Sequence, residues 1–278
     1  MLAAVRQLTA PGTEVSITFL PGEERDARID AAAAVRRAGM TPVPHIAARR
    51  IPSLEELDDF LGGLSHRAQV DRVFVVAGDS VDQPEGPFKD ALALIRSGRL
   101  ARYGVRKVGI TGYPDGHPSI SETQLWEALK RKHDTLTALG HSCEIVSQFS
   151  FDAEAVMRWL ARLREAHIAT PVKIGIPGPA SVKSLLRFAA RCGVGASTRV
   201  MAKYGLSLSK LLSSAGPDAL VEELQANLEP MRHGEVRLHL YAFGGLERTA
   251  RWAHEFRSAR KQRIPAAAPA ESRRLSGS

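Results

Sequence analysis

Short runs of alternating apolar and polar residues, each followed by a longer stretch of helical period, repeat along this chain from end to end. Residues 13–20 read as a first strand: Val15, Ile17 and Phe19 alternate, and Pro21-Gly22 ends the run. Residues 23–39 carry apolar positions at helical spacing, with Gly39 where a C-cap belongs. Residues 41–47 form a short strand. Ser53, with Glu56 three residues later, starts a helix that runs to about residue 66. Residues 72–77 are wholly apolar after Arg72, too hydrophobic for a sheet with one wet face. A Pro/Gly loop follows, then a helix to about residue 97 and a strand over 105–111, where Val108 and Ile110 are two apart. Ser121 and Gln124 open a long helix stopped by Gly140. Then come strand 143–149, helix 152–167, strand 171–176, and a helix capped by Ser181 and ending at Cys192. Residues 207–212 and 217–231 look helical, 236–241 is a last alternating strand, and a helix to residue 257 closes the folded part.

Strand and helix in alternation, joined by short connections, predict a parallel sheet with right-handed crossovers. Seven strong strands begin near residues 14, 41, 72, 105, 143, 171 and 236. The fold class is therefore α/β, a (β/α)8-type TIM barrel that lacks one βα unit. The stretch from Pro21 to His45 is too short to hold the extra strand and helix. An open doubly wound sheet is the competitor, but no G-x-G-x-x-G follows the first strand.

Composition narrows the function. A chain of 278 residues, 44% apolar and 24% charged, can bury a large core. No apolar run approaches the roughly 18 residues of a membrane span, so no membrane partner is expected. Cys143 and Cys192 lie far apart and lack metal-ligand spacing, and no charged, apolar leader opens the chain. A cytoplasmic protein without a metal is the expectation. The net charge of +8 is concentrated after Phe256: six Arg and Lys residues there face Glu271 alone. We therefore divide the chain into one barrel domain, 1–256, and a basic, disordered tail, 257–278. Nucleic acid is not an expected partner; a homo-oligomer is left open.

The chemistry sits where the strands end. Thr18, His45, Asp79, Tyr113 with His117, Gln148 and Tyr241 all follow or close strands. In one parallel barrel these groups would share one mouth. The set has a single carboxylate, two imidazoles, an amide and two phenols, with no thiol nucleophile and no cluster at zinc or Mg²⁺ spacing. Such groups suit a flat, conjugated, hydrogen-bonding ligand better than a metal.

Several stretches together resemble methylenetetrahydrofolate reductases, in the same order and at similar spacing. They are Pro44-His45-Ile, Ala77-Gly78-Asp79, Tyr113-Pro-Asp-Gly-His117-Pro118, Lys130-Arg-Lys132, Gln148-Phe-Ser-Phe-Asp152 and Leu238-His-Leu-Tyr241. The resemblance runs from about Val15 to Trp252. It implies a barrel holding FAD at the carboxyl ends of its strands, with hydride passing from NAD(P)H through the flavin to 5,10-methylenetetrahydrofolate, in ping-pong order. By the same resemblance His45, Gly78, Asp79, Tyr113, His117 and Lys132 would hold FAD. Asp79 and Gln148 would act at the pterin, Phe188 would stack on nicotinamide or folate in turn, and Tyr241 with Arg248 would place the folate tail.

The departures are as informative. The family's glutamate acid on the first strand is Thr18 here, and a hydroxyl of ordinary pKa cannot supply a proton at neutral pH. The arginine before Gly-Asp is Ala77, the glutamine before the stacking phenylalanine is Ser184, and the arginine after Tyr241 is Gly245. Three outcomes stand: a short flavoenzyme, a flavin-independent reductase, or a folate-binding barrel without catalysis.

Overall fold

The structure, a computed structural model, describes residues 1–20, 22–78, 84–191 and 214–263. Seven parallel strands form one sheet in chain order: β1 (Glu14–Ile17), β2 (Thr41–Ala47), β3 (Arg72–Val76), β4 (Lys107–Gly112), β5 (Ser142–Phe149), β6 (Val172–Pro177) and β9 (Val236–Tyr241). Two-residue strands β7 (Ala180–Ser181) and β8 (Ser214–Ala215) pair antiparallel beside it. The sheet is curled into a barrel wall. Laid flat, β1 and β6 would stand five strand spacings, about 24 Å, apart. Instead Lys173 of β6 pairs directly with Glu14 of β1. Among the described residues β1 and β9 form no ladder with each other, which leaves a seam where an eighth strand would close the barrel.

The crossover helices are α2 (Arg25–Arg37), α3 (Leu54–Ala68), α4 (Ala91–Arg96) with the short α5 (Arg99–Arg102), α6 (Glu122–Ala138), α7 (Ala153–Glu165) and α8 (Val182–Arg191). Their starts follow local chemistry. Ser53 accepts the Glu56 amide, Asp152 accepts that of Ala155, and Ser121 with Gln124 forms a complete capping box. The main core lies between sheet and helices. Val73, Val75, Val108, Ile110, Ile145, Val172 and Ile174 from the strands meet Leu57, Phe60, Leu64, Leu94, Leu136 and Leu160 from the helices.

The seam is covered from outside. Residues 1–12 supply α1 (Leu2–Leu8) rather than the missing strand, and α1 packs on α11 (Leu246–Arg263). Val5, Val35, Met40 and Ala250 form a small core there, and Arg257 donates to the Leu8 carbonyl at 3.1 Å. The last helix thus passes residue 257, the expected start of the tail, and reaches Arg263. Its Arg, Lys and Gln residues are good helix formers, and no breaker intervenes before Pro265. The helix expected over 217–231 is two pieces, α9 (Asp218–Asn227) and α10 (Pro230–His233), because Pro230 cannot continue α9. The expected helix at 207–212 and Cys192 lie outside the described residues. No helix among the described residues is long and apolar enough to cross a membrane.

Candidate functional site

The inward faces of the strands build two different layers. At the amino ends the layer is ionic. Glu14 of β1 takes Arg72 at 2.6 Å and also pairs with Lys173, while Lys173 pairs with Glu144 at 2.6 Å, and Lys107 reaches Glu144 at 3.5 Å. Glu144 and Lys173 keep only 7% and 13% of their side-chain surface, so the charges are enclosed and mutually satisfied. Burial alone would raise the Glu14 carboxyl, but Lys173 and then Arg72 outweigh it and hold it below its usual range. One layer up stand His45 and His239. Burial, then the neighbouring His239, lowers His45 to about 3; burial, then Lys173, lowers His239 to about 4. Both imidazoles are neutral at pH 7. The chamber between these layers measures only about 30 Å³, room for about one water.

Above them the mouth is aromatic. Tyr241 lies across Gly175, where an added Cβ would stand 2.7 Å from its ring and 2.6 Å from the Ser147 carbonyl oxygen. Only glycine admits that ring. Its hydroxyl then donates to the Ser147 carbonyl at 3.1 Å. Phe149 meets Tyr241 and Phe243 edge-on at 5.3 and 4.9 Å, and Phe188 of α8 stacks on Phe243 at 4.2 Å with 14° between the planes. Gln148 immediately precedes Phe149, where the pairing of β5 with β6 slips between Val146 and Phe149. Its Oε1 accepts the Phe149 amide at 3.1 Å, and Nε2 has no hydrogen-bond partner among the described residues.

The single mouth expected for all the strand-end residues does not form. Tyr113 and His117, in edge contact at 5.5 Å, follow β4 outward and line a separate cleft between α6 and α7. The physical reason is Gly112: its open face admits Trp159 of α7, and the chain turns over that ring. Lys132 is buried behind β4, where its ammonium donates to Thr111 at 3.1 Å; Tyr113 also bonds Thr111. Burial lowers Lys132 to about 8, against the opposing pull of Cys143 and Asp90. Gly78 has φ +93 and packs against Ala47. Thr18 stands one residue past β1 and is exposed, and Arg248 is exposed in the first turn of α11. Asp79 lies outside the described residues.

The Methylenetetrahydrofolate reductase family matches this chain over residues 1–251. The chain belongs to that family. A curated relative, methylenetetrahydrofolate reductase (NADH) 1 of Arabidopsis thaliana, is 24% identical over 215 residues, covering 71% of this chain and 35% of the relative. The chain thus spans about a third of that relative's length. Among solved structures, a dihydropyrimidinase from Brevibacillus agri aligns at TM-score 0.39 and 10% identity, over 63% of this chain and 41% of the other, too distant to carry an argument.

Seen as a family barrel, the chain holds residues that its sequence motifs did not single out. His239 was visible only as part of Leu238-His-Leu-Tyr241, and Phe243 only as the start of Phe243-Gly244-Gly245. The ionic layer had a signal too: Glu14, Arg72 and Lys107 each open a strand and are its one charged residue. The residues that the resemblance assigns to FAD are divided among three places: His45 in the small chamber, Tyr113 and His117 in the outer cleft, and Lys132 buried against Thr111. Asp79, which the same resemblance assigns to FAD, lies outside the described residues, and within them the Lys132 ammonium makes one hydrogen bond, to Thr111.

Proposed function

We propose that the protein is a methylenetetrahydrofolate reductase-type oxidoreductase that passes hydride directly between a nicotinamide co-substrate and 5,10-methylenetetrahydrofolate, giving 5-methyltetrahydrofolate. The observation that carries this reading is the aromatic mouth of a family barrel, Phe188 with Phe243, set beside Gln148 above a plugged interior. Stacked rings suit pterin and nicotinamide, and the Gln148 amide supplies a donor to one edge of the pterin. Asp79 follows β3 and is assigned to the same pterin.

Substrate chemistry sets the remaining need. Opening the imidazolidine ring requires a proton at N10, and the hydride then enters the exocyclic methylene carbon to give the N5-methyl group. The inner groups offer no such proton at neutral pH: Glu14 is ionised, His45 and His239 are neutral, and Thr18 is a hydroxyl. We take the proton to come from water at the mouth, held by Asp79. Direct transfer needs both substrates bound together, so initial-rate lines should intersect. Parallel lines, together with flavin absorption that NADH bleaches, would instead establish the flavin-dependent route. That second reading draws on one observation, the Lys132–Thr111–Tyr113 hydrogen-bonded group, which retains three polar side chains next to β4. A protein that binds folate but never consumes NAD(P)H would refute both and leave a folate-binding barrel.

A further inference from the structure

Beside Gln148 lies a buried hydroxyl that the chemistry above leaves unused. Val146 to Phe149 takes three residues of β5, whereas the β6 residues opposite, Lys173 to Gly175, take two. One residue of β5 is therefore extra, and the ladder must give way around it. In an unbroken parallel pair the Gly175 amide would donate to the Gln148 carbonyl, and the Gly175 carbonyl would accept from Ser150. The second bond is present at 3.0 Å. The first is interrupted. The Ser147 hydroxyl stands between its two ends, accepting the Gly175 amide at 2.8 Å and donating to the Gln148 carbonyl at 2.8 Å. Ser147 is fully buried, and its own carbonyl accepts the Tyr241 hydroxyl at 3.1 Å. A Cβ on Gly175 would stand 2.9 Å from the Gln148 carbonyl carbon, so glycine lets this peptide lie against β6. On the other side the pairing of β4 with β5 ends at Gly112 and Ser147. The Phe149 amide is met instead by Oε1 of Gln148, at 3.1 Å.

We propose that Ser147 is the positioning residue for Gln148: its hydroxyl, inserted into the ladder between Gly175 and Gln148, holds the bulge from which the Gln148 amide is presented at the mouth. The inference rests on the reading of Gln148 as the partner of the pterin. Alanine at 147 leaves the Gly175 amide two courses. It stays unpaired in a buried place, or it bonds the Gln148 carbonyl directly. The direct bond draws that carbonyl onto β6, turns the peptide between Gln148 and Phe149, and takes the Phe149 amide away from Oε1. Either way the side-chain amide loses its fixed direction. Ser147 touches no substrate, so its whole effect on turnover passes through Gln148.

The test joins two readouts on the full chain. The first is hydrogen exchange at the Phe149 amide, followed by NMR, which needs no folate. Ser147 does not bond that amide, so it can act there only by way of Gln148. Ser147→Ala should speed the exchange by about ten-fold or more, the scale of one lost hydrogen bond, and Ser147→Thr, which keeps the hydroxyl, should restore it. The second readout is turnover. Ser147→Ala should lower kcat/KM for 5,10-methylenetetrahydrofolate by about ten-fold and leave the KM for NADH unchanged. In a Gln148→Ala background the same change should add little, because the two residues act as one unit. Phe149 exchange unchanged in Ser147→Ala, or losses that simply multiply in the double variant, would overturn the proposal. Faster Phe149 exchange in Ser147→Ala, with wild-type turnover in Gln148→Ala, would uphold the positioning and remove the pterin reading instead. Should Ser147→Ala fail to fold, Ser147→Cys keeps a side chain of similar shape with only a weak donor and acceptor, and carries the same expectations at smaller amplitude.

Discussion

The two layers inside the barrel differ in what they leave unmet. In the lower layer every acid has a cation, Glu14 with Arg72 and Lys173, Glu144 with Lys173 and Lys107. Nothing there invites a ligand. In the upper layer rings meet rings, and Gln148 keeps a donor without a protein partner among the described residues. The contrast shows that charge inside a barrel is not by itself a mark of catalysis. Here it joins β1 to β6 across a wall that lacks an eighth strand, while the groups suited to substrate are mostly uncharged.

The largest expected effect falls on the layer between them. His45 and His239 have folded-state values of about 3 and about 4, below the ordinary 6.5. A group lowered on folding contributes stability above its unfolded value and loses it as the pH falls. Between pH about 6.5 and about 4 unfolding takes up as many as two protons, at most about 2.7 kcal/mol per pH unit. Urea midpoints should therefore drop steeply through that window, and His239→Gln should roughly halve the slope. Stability unchanged from pH 7 to pH 5 would show the histidines to be open to water.

Next comes Lys173→Ala, which strands Glu14 and Glu144 without their shared cation. Loss of about 3–5 kcal/mol is expected by denaturant unfolding, as for other broken buried pairs. A smaller loss would mean that water reaches the lower layer. The mouth should behave in the opposite way. Gln148→Ala should lower folate turnover by about ten- to a hundred-fold, the scale of one lost hydrogen bond, and leave the unfolding midpoint almost unchanged. Wild-type turnover in that variant would remove Gln148 from the site. The smallest effect is Ser121→Ala, which opens the α6 capping box. It should cost about 1 kcal/mol of stability and leave turnover untouched.

Much of the fold was legible in the chain. The runs around Phe74, Ile110, Ile145 and Ile174 and the caps at Ser53, Ser121 and Asp152 mark elements that the structure contains. Period and capping are local, and a sequence displays them directly. What was not legible depends on where side chains meet. That Tyr113 and His117 turn away from His45 follows from Trp159 filling the open face of Gly112, a contact between residues on different elements. The stack of Phe188 on Phe243 joins the helix after β7 to the loop after β9. The helix at residues 2–8 was hidden because seven residues give too little period, and its partner, the last helix, is far along the chain.

One measurement bears most directly on the central claim, direct hydride transfer at the aromatic mouth. The protein, stripped of flavin, would be given NADH deuterated at the transferable C4 position together with 5,10-methylenetetrahydrofolate, and the product analysed by mass spectrometry. Direct transfer predicts deuterium in the methyl group of 5-methyltetrahydrofolate at one atom per turnover. Product formed only when FAD is restored, with the label washed out to water, would contradict it.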